Sequence, residues 1–123
     1  MKKSTLIILI TLIAIVIVAA GLLTPHAIEM YTFHKVGHEQ TVGVCDDYLK
    51  KYPDGRYLEE VLRIKIFASK DSQTTINTID LYLERFPDDE NCILFDDYKK
   101  YLLSNPDART IDDYKRYINS ETK

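Results

Sequence analysis

HEQTVGVCDDYLKKYPDG (residues 38–55) and SQTTINTIDLYLERFPDD (residues 72–89) are one pattern written twice, 34 residues apart. Thr41 falls on Thr75, Val42 on Ile76, Cys45 on Ile79, and Asp46-Asp47-Tyr48-Leu49 on Asp80-Leu81-Tyr82-Leu83; the match closes with Tyr52-Pro53-Asp54 over Phe86-Pro87-Asp88. A period of about 34 residues is the length of two short helices and their turn, a unit too small to bury its own apolar face and obliged to stack on a neighbour. A weaker third copy begins near Thr110, where TIDDYKRYI echoes residues 78–86, and FDDYKKYL from Phe95 carries the same local pattern.

Within and between the two copies, apolar residues recur at three- and four-residue steps. Tyr57, Val61, Ile64 and Phe67-Ala68 form one such series, and Ile76, Ile79, Tyr82-Leu83 and Phe86 form another. That spacing puts them on one face of a helix. Proline cannot continue a helix, so Pro53 and Pro87 end the helices before them and are placed to open the next. Asp71-Ser72 supplies a cap for one helix start, and Asn105-Pro106 reads as the capping residue and first-turn proline of another. The pattern predicts helices over 38–52, 55–70, 72–86, 89–104 and 106–119, joined by short loops, and hence an all-α chain.

The segments YLKKYPDGRYLEEV and YLERFPDDENCILF resemble the tetratricopeptide-like repeats of bacterial cell-envelope proteins, among them outer-membrane assembly lipoproteins and periplasmic cell-division coordinators. The resemblance covers residues 38–120. It implies a short helical-hairpin solenoid that serves as a scaffold for protein contacts, with no catalytic residues. Small residues that let paired helices approach are sparse, Ala68 being the clearest, and the last unit is short.

Ahead of the repeats, residues 6–23 read LIILITLIAIVIVAAGLL, with Thr11 the one polar side chain. At about 1.5 Å per residue such a helix approaches the roughly 30 Å of a bilayer's hydrocarbon. Pro25 is expected to break it. Lys2 and Lys3 lie on one flank and the other has no Lys or Arg until Lys35, an asymmetry that keeps the N-terminus cytoplasmic and sends the C-terminal part out. The expected organisation is a transmembrane signal-anchor over 1–24, a juxtamembrane stalk over 25–37 and a helical domain over 38–123. The rival reading is a cleaved signal peptide, with Val18-Ala19-Ala20 as the small-residue site.

Taking Lys2 and Lys3 from the 16 basic residues leaves 14 against 19 acidic ones, a formal balance of −5. Nucleic acid is therefore an unsuitable ligand, since phosphate binding rests on surplus positive charge. No phosphate loop, nucleophile elbow or triad order occurs, so neither an enzyme nor a bound cofactor is expected. His34 and His38 are four apart but make an incomplete metal set, and the acidic pairs at 46–47, 88–89, 96–97 and 112–113 lack the alternating oxygen ligands of a calcium loop. They read as solvated helix faces. Cys45, in the place of Ile79, reads as a small core residue, and a bond from it to Cys92 is the less favoured reading.

Nine tyrosines remain, all after residue 30. Most fall at repeat positions and should pack. Tyr31, Tyr57, Tyr101 and Tyr117 are less constrained, and amphipathic rings of that kind suit a protein-binding face. The expected partner is thus a protein or peptide in the cell envelope, with self-association of an incompletely capped stack as the alternative.

Overall fold

The computed structural model describes residues 2–122 of the chain. Among these it is all-helical, without strands: α1 (Lys3–Glu39), α2 (Val42–Lys51), α3 (Leu58–Ala68), α4 (Ser72–Arg85), α5 (Cys92–Ser104) and α6 (Ile111–Glu121). The chain divides into two compact units, Met1–Thr32 and Phe33–Lys123.

The first unit is the greater part of α1, which is long and apolar enough to cross a membrane. Its aliphatic side chains have no protein cover; Ile17 is 65 % exposed and Leu22 is 68 % exposed. The threonine hydroxyls turn back onto their own helix, Thr11 donating to the Ile7 carbonyl at 2.8 Å and Thr32 to Ile28 at 2.9 Å. No polar group on those side chains is left needing water. Pro25 does not break the helix, contrary to expectation. It removes one N–H, but turns already formed on both sides propagate at one bond per residue, and the residue before a proline is disfavoured in the α region without being barred from it.

The second unit starts at Phe33, inside the stretch expected to be a stalk, so the last residues of α1 belong to the packed helices. They end at Gln40, whose backbone is left-handed with φ 49°, and whose N–H donates to the Val36 carbonyl at 2.8 Å. Thr41 then caps α2, its hydroxyl accepting from the Val44 N–H at 3.4 Å.

Three Pro-Asp turns punctuate the rest of the unit. Tyr52, Phe86 and Asn105 each precede a proline, which pushes the residue before it out of the α region; their φ values are −131°, −131° and −130°. The carbonyls of Tyr52, Phe86 and Asn105 accept from the N–H groups of Gly55, Asp89 and Ala108, three residues on, at 3.1, 3.1 and 2.9 Å. Proline thus sits at the second position of a four-residue turn, where its fixed φ belongs. This corrects two expectations. The helices after the turns begin at Leu58, Cys92 and Ile111, later than 55, 89 and 106. Asn105 ends α5 rather than capping α6, whose cap is Thr110, paired with Asp113 in a capping box. Asp71 does cap α4, accepting from the Thr74 N–H at 2.9 Å.

Each helix from α2 onward packs against the next. Polar contacts tie successive helices together: Lys65 meets Asp46 at 2.6 Å between α3 and α2, the Tyr82 hydroxyl lies 3.4 Å from Glu59 between α4 and α3, and Lys99 pairs with Asp80 between α5 and α4. Two apolar clusters result. One joins Val36 of α1 to Val44, Cys45 and Tyr48 of α2 and Val61 of α3, with Phe33 and Tyr57 against it. The other gathers Leu58, Leu62 and Ile66 of α3 with Ile79, Tyr82, Phe95, Tyr98, Leu102, Ala108, Ile111 and Tyr114. Side chains of this size stabilise by about 1.5–3 kcal/mol each when fully buried.

Candidate protein-contact surface

The four tyrosines singled out in the sequence have different fates. Tyr31 is 73 % exposed on the helix of the first unit. Tyr57 is half-buried and structural: its ring stacks on Phe33 with centroids 4.1 Å apart and planes 7° from parallel, and its N–H donates to the Tyr48 hydroxyl at 3.1 Å. Tyr101 and Tyr117 come together across the α5–α6 contact, centroids 4.9 Å apart, with Tyr114 5.3 Å from Tyr101. Tyr101 is half-buried, whereas Tyr117 is 41 % exposed.

Tyr101 and Tyr117 line two adjoining grooves. The wider groove, about 700 Å³, runs past Asn105, Pro106, Asp107, Asp113 and Arg116. The Asp113 carboxylate accepts from the N–H groups of Arg109 and Thr110 at 2.9 and 3.1 Å, which holds it below the usual carboxylate range. The narrower groove, about 360 Å³, is lined by Asp97, Lys100, Tyr101, Tyr114, Tyr117, Ile118 and Glu121. Lys100 is occupied by Asp96 at 2.8 Å, a contact that raises the lysine's pKa. Glu121, four residues on in the same helix, raises the pKa of the Tyr117 phenol.

Tyr98 is fully buried and stacked on Tyr114 at 5.1 Å. Its hydroxyl has no hydrogen-bond partner among the described residues. Burial, reinforced by Asp113, pushes this phenol up to about 12. A third groove, about 350 Å³, lies between α2 and α4 over α3, where Leu49, Leu62 and Leu81 are flanked by Asp46, Lys65, Thr74 and Asn77.

Glu121 was not singled out from the sequence, and Asp97 was read there only as half of an acidic pair on a solvated helix face. Each stands four residues from a tyrosine of the pair, Asp97 before Tyr101 and Glu121 after Tyr117, and that spacing is the signal that marks them. The other acidic pairs divide between roles. Asp46 bridges to Lys65 and Asp89 bonds to Tyr82, while Asp47 and Asp88 face solvent, so the pairs are not uniformly solvated. His34 and His38 are exposed, and among the described residues no group of three His, Cys, Asp or Glu is placed to hold a metal ion. Both thiols are free. Cys45 lies in the first cluster, where burial and Asp46 push it up to about 11; Cys92 borders the second and donates to the Phe86 carbonyl at 3.0 Å.

No protein-family model matches the chain, and no curated protein or solved structure matches it.

Proposed function

We propose that the chain is a membrane-tethered protein-interaction module: a tetratricopeptide-like stack of helical hairpins held at the cell envelope by the apolar part of α1. The observation that carries this reading is the pairing of an uncovered apolar helix with helices that repeat at a 34-residue shift. A run of exposed aliphatic residues of this length is tolerated only against lipid or another protein. The repeat is local as well as periodic, since Tyr48 and Tyr82 are both fully buried and the turns after them carry the same backbone hydrogen bonds. Stacks of this kind expose broad grooves to peptides and proteins.

In this reading residues 6–23 span the bilayer, the N-terminus is cytoplasmic and the helical unit lies outside, or is released there by cleavage after Ala20. No nucleic acid, cofactor or catalysis is involved. Affinity capture from cross-linked membranes tests it: the module reading requires a protein in the recovered material, and recovery of lipid alone would reject it. Protease access from outside the cell, with N-terminal sequencing, reports topology and cleavage together.

Self-association is the second reading, favoured by α6. Helix α6 buries Ile111 and Tyr114 and leaves Tyr117 and Ile118 exposed. A concentration-independent monomer in neutral detergent would dismiss it.

A further inference from the structure

The smaller α5–α6 groove combines aromatic and acidic side chains. Tyr101, Tyr114 and Tyr117 line it, Tyr117 being the exposed ring, together with the carboxylates of Asp97 and Glu121. The lining's single lysine is neutralised by Asp96, so the groove's net charge is negative. Ring faces are negative through their quadrupole and attract a cation within about 6 Å of the centroid. A planar guanidinium gains twice here, by stacking on the ring and by paired hydrogen bonds to a carboxylate, where an ammonium offers only a point charge.

We propose that this groove receives an arginine side chain from a basic segment of a partner protein, stacked on Tyr117 and hydrogen-bonded by Asp97 and Glu121. The charge complementarity extends beyond the groove, since the chain after Lys3 carries 14 basic against 19 acidic residues. The proposal rests on the interaction-module reading and specifies its site.

The test uses the full chain in neutral detergent at physiological salt, titrated calorimetrically with a blocked peptide of alternating arginine and glycine and with its lysine counterpart. The arginine peptide should bind at least about fivefold more tightly than the lysine one. Tyr117→Leu, and separately Asp97→Asn with Glu121→Gln, should each weaken it about tenfold. Asp47→Asn with Glu84→Gln makes the same charge change elsewhere and should leave binding within about twofold. Tyr117→Phe keeps the ring and should bind nearly as well, and helical circular dichroism confirms that each variant is folded. Equal binding of both peptides, equal weakening by the remote pair, or no binding at all overturns the proposal. Photo-crosslinking from position 117 in membranes separates the two levels: a partner captured only from other positions removes this site and keeps the module, and no partner from any position removes both.

Discussion

The turns after α2 and after α4 share a backbone and differ in how they satisfy one buried phenol. Tyr48 and Tyr82 are both fully buried, each ring lies just over 5 Å from the aromatic residue four places on, and each helix ends there with nearly identical dihedrals. In the first turn the Tyr48 hydroxyl accepts from the backbone N–H of Tyr57 at 3.1 Å. In the second the Tyr82 hydroxyl donates to the Asp89 carboxylate at 2.6 Å, and the same carboxylate accepts from the Asn91 N–H at 2.9 Å. Gly55 stands where Asp89 does, so the carboxylate that serves Tyr82 has no counterpart at that position of the first turn. Shape is repeated, then, while hydrogen bonding is solved afresh at each site.

The largest effects should come from deleting the shared feature. Tyr48→Ala and Tyr82→Ala should each destabilise by about 3–5 kcal/mol, because a fully buried ring leaves a cavity in either cluster. Urea unfolding followed by circular dichroism measures both, and a nearly silent Tyr48→Ala would break the equivalence. A pH difference should come next. Asp89 is held at about 2 by the Tyr82 hydroxyl first and by the Asn91 N–H second. An unfolded aspartate titrates near 3.9, so the folded value is the depressed one. The carboxylate's contribution is complete above about pH 5 and is lost as pH falls through about 4 towards 2. Amide exchange resolved by NMR should show the Asn91 N–H losing protection across that window while the Tyr57 N–H keeps its own until global unfolding; loss of both together would refute the distinction.

Smaller effects sharpen the contrast with Tyr98, whose hydroxyl has no partner among the described residues. Tyr98→Phe removes a buried hydroxyl with no hydrogen bond to the described residues, and should raise stability by about 1 kcal/mol, where the same change at Tyr82 should lower it. Gln40→Gly relieves a left-handed residue at the end of α1 and should stabilise by about 1 kcal/mol or less, seen as a small rise in Tm.

Most of the helical architecture was legible because it is written in local terms. Prolines end helices by steric exclusion, Asp71 caps by a short-range bond, and apolar spacing assigns Tyr48, Ile79 and Tyr82 to the interior. Four features were not. Whether Pro25 breaks α1 depends on how well the turns around it propagate. The role of Asn105 turns on which neighbour wins: its side chain suits an N-cap, but Pro106 forces its backbone out of the helix it ends. The groove beside Tyr117 depends on the register of α5 against α6, which sets Asp97 and Glu121 beside the same rings and which no single segment encodes. The structural role of Tyr57 is hidden for a similar reason, since its contact with Phe33 joins segments 24 residues apart.

Helix α3 turns Val61 to one apolar cluster and Leu58, Leu62 and Ile66 to the other. A fragment cut before Leu58 strips Tyr48 of the side chains that shelter it, and one cut after Ala68 leaves a greasy stripe facing water. Expression boundaries for the helical unit therefore have to keep α3 together with the helices on both of its sides.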